Sequence, residues 1–370
     1  MKGSGTELAI FIPSMRGDGA ERVTLTLAVS LLRSGVPVDL VLASAEGALL
    51  DEIPPDLPVV DLKRRRTLAS LPRLVAYLRR ARPTILLACL AHANIVAVWA
   101  RRLSGVRSRL VLTEHNTMSR EAANTSLRRG RLVPPLARRT YPDADAIVAV
   151  SKGVAADLTS SIGLAEDRIQ VIYNPVVTPE FLSRAAEPIE DLWFVPGADP
   201  VVLSVGRLVP QKSYPTLIEA FAAIRARRRA KLLILGEGPC RDELHAAIAG
   251  LGLESEIRLP GFVSNPASYM RRSSVFAMSS VFEGLPTVMI EALATGARIV
   301  STDCPSGPRE ILEGGRYGRL VPVGDASRLA AALEEALDDE TPRPGPESWQ
   351  RFELETVIDQ YRQLFWQADS

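Results

Sequence analysis

Residues 279–296 read Ser-Ser-Val-Phe-Glu-Gly-Leu-Pro-Thr-Val-Met-Ile-Glu-Ala-Leu-Ala-Thr-Gly, the most informative stretch of the chain. An apolar run ends just before it, Glu283 stands in a glycine loop, Pro286 is typical of a helix start, and Gly296 is typical of a helix end. Glu291 lies among apolar neighbours, so its carboxylate needs a partner. Two carboxylates can accept hydrogen bonds from sugar hydroxyls, and the helix N-terminus between them favours a phosphate.

Outward from this stretch, short apolar runs alternate with amphipathic helices along the chain. Such runs are typical of parallel sheets that are covered on both faces. The predicted strands are residues 8–13, 38–43, 84–90, 109–113 and 146–150, and then 201–205, 231–235, 257–259, 275–278 and 298–301. The predicted fold class is therefore α/β, with two tandem Rossmann-like domains facing each other across a cleft.

The same alternation predicts the domain boundaries. Residues 1–178 form the first domain and residues 201–352 the second. Residues 179–200 carry four prolines and a run of acidic residues, which is typical of a linker. Residues 353–370 contain a further apolar-periodic stretch, which predicts a closing helix that packs back on the first domain.

Length and composition favour a cytoplasmic protein. The chain has 370 residues, enough for full hydrophobic cores, and its three cysteines are scattered, which suits a reducing compartment. The first residues, MKGSGTEL, lack the apolar core of a signal peptide. Residues 83–100 are uncharged and long enough for a marginal membrane span, but Pro83, His92 and Asn94 favour a buried strand followed by a helix.

Two further loops place glycines and cations where a ligand can approach. Gly17 and Gly19 stand between the first strand and its helix, where glycine allows close backbone approach, although a tight turn is the alternative interpretation. Arg207 and Lys212 follow the strand that ends at Val205, so both leave the carboxyl end of the second sheet. Two such cations can hold a diphosphate, whereas surface solubility would explain either of them alone.

Taken in order, these motifs resemble the GT-B retaining glycosyltransferases of family 4. The motifs that carry the resemblance are GDGAER (17–22), GRL with the following lysine (206–212), GEGP (236–239), LPGFV (259–263) and E-x7-E (283–291). They span nearly the whole chain. A weaker similarity, in residues 302–312 (TDCPSGPREIL), is to members that transfer N-acetylhexosamines to polyprenyl-diphosphate or polysaccharide acceptors.

The resemblance implies a role for each matching residue. Arg207 and Lys212 would bind the donor pyrophosphate, Glu283 the transferred sugar and Glu291 the ribose hydroxyls, and His115 would lie near the reaction centre. The catalytic residues are then Glu283, His115, Arg207 and Lys212. The donor-binding positions are Gly17, Gly19, Arg207, Lys212, Gly236, Phe262 and Val263 against the base, Gly284, Leu285, Pro286 and Glu291. The resemblance also implies same-face attack, with a donor phosphate helping to remove the acceptor proton.

No cofactor and no metal are expected. Asp143 and Asp145 form a D-x-D triplet, the metal-binding signature of the other main glycosyltransferase fold. Here the triplet precedes a strand instead of ending one, so we interpret it as a turn between a helix and a strand. No other group of His, Asp and Cys has the spacing of metal ligands.

The charge distribution favours an anionic partner. Residues 63–140 carry 18 Lys and Arg against only Glu114 and Glu121, and Arg128, Arg129 and Arg131 are among them. Residues 71–82 predict a basic amphipathic helix, which favours an anionic membrane surface or a diphosphate-lipid acceptor held there over an ordinary packed helix. The segment has few aromatic residues, so nucleic acid is not expected as a partner.

The sequence thus predicts a metal-independent retaining glycosyltransferase, peripheral on the inner membrane face. It would move a hexose or N-acetylhexosamine from a nucleotide-diphosphate sugar, UDP-linked by preference, to a lipid-linked or polysaccharide acceptor. A nucleotide-sugar epimerase of similar fold and a non-catalytic nucleotide-sugar-binding protein stay open as alternatives.

Overall fold

The structure is a computed structural model that describes residues 5–17, 19–120, 132–339 and 343–366. Asp18 of the first glycine loop, and Glu121, Arg128, Arg129 and Arg131 of the basic segment, lie outside the described residues. The chain divides into two compact units. The first comprises Met1–Pro175 and Glu355–Ser370, and the second comprises Val176–Leu354.

The first unit contains a parallel sheet of seven described strands, in the order β3-β2-β1-β4-β5-β6-β7. Its strands are β1 (Leu8–Ile12), β2 (Val38–Leu42), β3 (Val59–Asp61), β4 (Ile85–Cys89), β5 (Arg109–Glu114), β6 (Ala146–Ala149) and β7 (Ile169–Val171). Its described α-helices are α1 (Gly19–Arg33), α2 (Leu71–Ala81), α3 (Ala91–Ser104), α4 (Val133–Thr140), α5 (Lys152–Ile162) and, in sequence after the second unit, α13 (Leu354–Trp366). Every residue of the central strands β1 and β4 is buried, as expected for strands covered on both faces.

The second unit contains a parallel sheet of six described strands, in the order β10-β9-β8-β11-β12-β13. Its strands are β8 (Val201–Val205), β9 (Lys231–Leu235), β10 (Ile257–Gly261), β11 (Val275–Met278), β12 (Arg298–Thr302) and β13 (Arg319–Val321). Its described α-helices are α6 (Pro179–Ala186), α7 (Tyr214–Arg225), α8 (Arg241–Gly250), α9 (Pro266–Arg272), α10 (Thr287–Ala294), α11 (Pro308–Ile311) and α12 (Ala326–Leu337). The order changes direction between β8 and β11, and in such sheets ligands bind where loops leave the carboxyl ends on either side of this point.

The prediction of an α/β chain with two Rossmann-like domains is confirmed. Residues 83–100 form the predicted strand and helix, β4 and α3. In the part of the chain that the structure describes, no helix has both the length and the apolar character needed to cross a bilayer.

The stretch predicted as a linker, residues 179–200, differs from the prediction. It belongs to the second unit and begins with helix α6. Thr178 caps this helix, since its Oγ1 accepts a hydrogen bond from the N–H of Phe181 at 3.0 Å, and Pro179 occupies the first helical position. Pro179, one of the four prolines that suggested a linker, is therefore a helix-start signal.

Helix α2 has the predicted basic and apolar faces, but its apolar face is used inside the first unit. Leu74, Val75, Tyr77 and Leu78 are all buried, and the helix packs on α3. These side chains are therefore unavailable to a bilayer, and the ordinary packing of an amphipathic helix explains the periodicity.

Candidate active site

The loops that leave β8 and β9 pack backbone against backbone. A Cβ on Gly236 would lie 2.1 Å from the carbonyl oxygen of Gly206. The two backbones can therefore approach this closely only because residue 236 is glycine. The N–H of Gly206 donates to the carbonyl of Leu235 at 2.9 Å, and the hydroxyl of Tyr214 donates to the carbonyl of Gly206 at 3.2 Å. The glycines thus bring the Arg207–Lys212 loop against the end of the sheet.

Lys212 and Glu283 meet in this unit, although 71 residues separate them in sequence. Lys212 Nζ lies 2.7 Å from Glu283 Oε1, and the side chains are only 16% and 9% exposed. A buried carboxylate needs such a partner, because the ion pair and its hydrogen bond offset the cost of removing the charge from water. Two of the predicted catalytic residues are therefore in direct contact, whereas Arg207 is exposed at the start of the same loop.

Gln211 holds the loop that carries Glu283. Its side-chain amide donates to the carbonyl of Phe282 at 2.9 Å and lies 3.4 Å from Glu283 Oε2. The backbone carbonyl of Gln211 accepts from the N–H of Val281 at 2.9 Å. The Ser279 hydroxyl adds a bond of 2.8 Å to the carbonyl of Lys212. The loop after β11 is thereby fixed to the loop after β8.

Helix α10 begins directly after this loop. Pro286 is its N-cap residue, with helical residues beginning at Thr287. Gly284, Leu285 and Pro286 are buried. Thr287 at the helix start and Glu291, one turn further along, are half-buried. A helix N-terminus carries N–H groups that lack intrahelical partners, and here the helix begins four residues after Glu283, which is an arrangement that attracts a phosphate.

The remaining residues of the second unit that are predicted to bind the donor lie at the neighbouring strand ends. Gly261 ends β10 and accepts a hydrogen bond from the N–H of Gly236 at 2.8 Å. Phe262 follows it and is 77% exposed, and Val263 is half-buried. A large exposed aromatic side chain at the carboxyl end of a sheet can stack on a flat ligand.

In the first unit, the glycine loop after β1 is held by a buried carboxylate. Glu21, only 5% exposed, accepts from the N–H of Gly17 at 2.8 Å and from the Ser14 hydroxyl at 2.7 Å. Gly17 has φ +111°, a conformation that favours glycine, and Gly19 begins α1. Both glycines are exposed.

His115 follows β5 at the same edge of the same sheet, with only β4 between β5 and β1. The residue is 7% exposed, and neither ring nitrogen has a hydrogen-bond partner among the residues that the structure describes. Burial lowers the pKa of His115 from 6.5 to about 4, because desolvation disfavours the imidazolium. The ring is therefore neutral near pH 7 and can donate one hydrogen bond and accept another.

Asp143 and Asp145 lie at the opposite ends of these strands, the amino-terminal ends, where β5 and β6 begin. Asp145 pairs with Arg101 and accepts from the N–H of Leu110 at 2.6 Å, and Asp143 pairs with Arg102. The predicted turn before β6 is present. Within the described ranges, no group of three or more His, Cys, Asp or Glu side chains is arranged to hold a metal ion.

Comparison with known proteins decides the family. A family model described as glycosyltransferase family 4 matches residues 17–179, and one described as glycosyl transferases group 1 matches residues 199–339. A Campylobacter jejuni protein named as an N-acetylgalactosamine-N,N'-diacetylbacillosaminyl-diphospho-undecaprenol 4-alpha-N-acetylgalactosaminyltransferase is 33% identical over 90% of this chain and 91% of its own length. The chain belongs to the GT-B glycosyltransferases of family 4.

A second relative of this glycosyltransferase is named for lipopolysaccharide core biosynthesis. The lipopolysaccharide core biosynthesis glycosyltransferase LpsE of Rhizobium meliloti is 32% identical over 60% of this chain and 65% of its own length. Among solved structures, Anabaena HepE in complex with UDP and glucose superposes with a TM-score of 0.80, at 22% identity over 98% of this chain and all of that one. The predictions of the family and of the GT-B fold are confirmed.

Sequence reasoning missed three features that support the candidate site. Gln211 and Glu21 stand inside the motifs named above, so their positions were visible, but their hydrogen bonds depend on the fold. Residues 305–307 contact the Glu283 loop directly, but the stretch that contains them, 302–312, stood out only for a family similarity and not for this contact.

Proposed function

We propose that this glycosyltransferase transfers a hexose or N-acetylhexosamine, with retention and without a metal ion, from a UDP-sugar to a lipid-linked or polysaccharide acceptor. The single observation that carries the proposal is the buried contact between Lys212 and Glu283 at the carboxyl end of the second sheet. One cation and one carboxylate are held together there at a helix N-terminus, which suits a ligand with a diphosphate on one side and sugar hydroxyls on the other.

The chemistry asks the protein to stabilise charge on a departing nucleotide. The bond between the anomeric carbon and the diphosphate oxygen breaks, and its electrons leave with UDP. The acceptor oxygen forms the new bond on the same face, and its proton passes to a phosphate oxygen. The growing negative charge would be faced by Arg207, Lys212 and the first N–H groups of α10. Such electrostatic stabilisation of the transition state is usually the largest single contribution to catalysis.

Glu283 and Glu291 would bind hydroxyl groups of the donor, and Phe262 would stack on the base. In the first unit, His115 would act as a neutral hydrogen-bond partner of the sugar or acceptor, because its lowered pKa leaves no imidazolium near pH 7. Glu21 would hold the Gly17–Gly19 loop open to a phosphate or acceptor group.

Metal independence is supported by where the acidic residues lie. The Asp143 and Asp145 carboxylates face Arg101, Arg102 and a backbone N–H at the edge of the sheet away from His115. The cations of the Arg207–Lys212 loop would supply the positive charge that a divalent ion supplies in other enzymes.

The acceptor class is supported by the relatives and by surface charge. The Campylobacter relative acts, by its name, on a diphospho-undecaprenol-linked substrate. The first unit exposes a basic stretch of sequence comprising Lys63, Arg64, Arg65, Arg66, Arg73, Arg79, Arg80 and Arg82. Since the apolar face of α2 is buried, attachment to the inner membrane face would be electrostatic, with each cation contributing about 1 kcal/mol near an anionic surface.

The test is UDP binding by calorimetry and sugar transfer from a panel of UDP-sugars, each with and without EDTA. We expect binding that persists in EDTA, a large loss of UDP affinity in Arg207→Ala, and loss of transfer with retained UDP binding in Glu283→Gln. The exposed residues Arg328 and Glu335 of the same unit supply the controls Arg328→Ala and Glu335→Gln. Folded Arg207→Ala and Glu283→Gln variants that transfer as well as the parent would refute the proposal.

A further inference from the structure

The loop that carries Glu283 is paired with a second loop, residues 305–307, through reciprocal backbone hydrogen bonds. The N–H of Glu283 donates to the carbonyl of Pro305 at 3.0 Å, and the N–H of Ser306 donates to the carbonyl of Glu283 at 2.9 Å. The two bonds fix both peptide groups of Glu283, so the orientation of its Cα–Cβ bond depends on the second loop.

A serine hydroxyl and a closely packed glycine tighten this pairing. The Ser306 hydroxyl donates to the carbonyl of Gly284 at 2.8 Å. A Cβ on Gly307 would lie 2.5 Å from Cδ of Pro286, 3.0 Å from the carbonyl oxygen of Gly284 and 3.2 Å from Cα of Leu285. Gly307 also has φ +100°, so both its conformation and its surroundings require glycine.

On its other side, the Glu283 loop is held by Gln211 and Lys212. The Gln211 amide bonds the Phe282 carbonyl, and Lys212 Nζ bonds the Glu283 carboxylate. Glu283 is thus fixed at its carboxylate by one loop and at its backbone by another. The second loop also meets Gly284, Leu285 and Pro286 ahead of α10, so its effect on nucleotide binding has to be measured beside its effect on transfer.

We propose that residues 305–307 are a positioning element for Glu283, which sets the geometry of sugar transfer without themselves binding the nucleotide. The inference rests on the role of Glu283 under the proposed function. A catalytic group has to be held within a fraction of an ångström of its productive position, and a displacement of about 1 Å can cost about 100-fold in rate. Gly307 supplies the closest contact, and Pro305 and Ser306 supply the hydrogen bonds.

The first measurement needs no ligand. Amide hydrogen exchange of the Glu283 N–H is compared in the parent, Gly307→Ala and Ser306→Ala. Gly315→Ala is the matched control, because Gly315 has φ +113° and a Cβ added there would meet nothing within 4 Å, so it tests backbone strain without the contact. We expect exchange at Glu283 to rise about tenfold or more in Gly307→Ala, to a lesser degree in Ser306→Ala, and to stay within about threefold in Gly315→Ala.

The second measurement separates positioning from a merely structural role. In Ser306→Ala, which removes one hydrogen bond and adds no clash, we expect kcat for transfer from a UDP-sugar to fall about tenfold, while the Kd for UDP, which lacks the sugar, stays within about threefold. In Gly307→Ala the added Cβ also meets Gly284, Leu285 and Pro286, so we expect a larger loss of kcat, about 100-fold, with some loss of UDP affinity. Ser306→Ala therefore decides the question, whether or not Gly307→Ala folds.

Unchanged exchange at Glu283 in both variants would overturn the inference, and so would parallel losses of kcat and UDP affinity in Ser306→Ala. A parent protein that neither binds UDP nor transfers sugar would instead refute the proposed function. In that case the exchange data still decide whether residues 305–307 position Glu283.

Discussion

Burial of His115 makes its ionisation a measurable property of the folded first unit. The pKa of His115 falls from 6.5 to about 4, and desolvation is the cause. Because the folded state binds this proton more weakly than the unfolded state does, the free energy of unfolding decreases as the pH falls from above 6.5 towards 4. Replacement by asparagine, which does not titrate, removes this pH dependence.

The magnitude follows from the two pKa values. At about pH 7 the unfolded state gains almost nothing from protonating His115, whereas at about pH 5 it gains about 2 kcal/mol relative to the folded state, and at about pH 4 about 3 kcal/mol. The difference in stability between the parent and His115→Asn therefore shifts by about 2 kcal/mol in favour of the variant between pH 7 and pH 5. All other titrating groups are common to both proteins and cancel in this difference.

Two assays check it. Amide exchange of the β5 residues reports the stability of the first unit at each pH without requiring both units to unfold together. Histidine-selective NMR titrates the ring directly, since the chain has only three histidines and the exposed His92 and His245 can be assigned with His→Gln variants. A His115 ring that titrates above about pH 6, or a stability difference that is flat between pH 7 and pH 5, would refute the reasoning from burial.

Three further predictions concern the other charged groups. Lys212→Met leaves the buried Glu283 carboxylate without its cation and should destabilise the second unit by about 3 kcal/mol in denaturant unfolding. Arg328→Met, at an exposed position with a surface ion pair, should change it by less than about 0.5 kcal/mol, and equal effects would contradict the geometry. Asp145→Asn should lower the melting temperature while leaving UDP binding and its insensitivity to EDTA unchanged, and a loss of binding would assign Asp145 to a metal. Replacing residues 64–66 by Gln-Gln-Gln should weaken sedimentation with phosphatidylglycerol vesicles at low salt by about tenfold or more, with no effect on neutral vesicles, and a matched effect on both would argue against an electrostatic contact.

The central strands were predictable from the sequence because each is a continuous apolar run. Residues 201–205, 231–235 and 275–278 were predicted with the bounds that the structure has. The edge strands β3, β7 and β13 were missed, since they are three residues long and partly exposed, and so have no apolar run to signal them. Local periodicity identifies strands that are buried on both faces better than those at sheet edges.

The candidate site was predictable where a motif follows a strand and not where the fold joins distant loops. Glu283 and Lys212 were singled out because each follows a predicted strand of one parallel sheet, whose carboxyl ends lie at one edge. Their mutual ion pair was not foreseen, since strand order is not written in the sequence. Residues 305–307 stood out only for a family similarity, because a pairing across about twenty residues leaves no periodic signal.

The Lys212–Glu283 pair also constrains how a donor could enter. An ammonium group has three N–H donors, and one of those of Lys212 is used by Glu283 at 2.7 Å. The other two N–H bonds point in different directions from that one, so they can donate to a diphosphate without breaking the ion pair. Under the proposed function, a lysine shared in this way couples the leaving diphosphate to the carboxylate that is proposed to bind the sugar. Arginine in its place would spread its charge over a planar fork suited to one bidentate partner, so Lys212→Arg is expected to retain UDP binding and lose transfer.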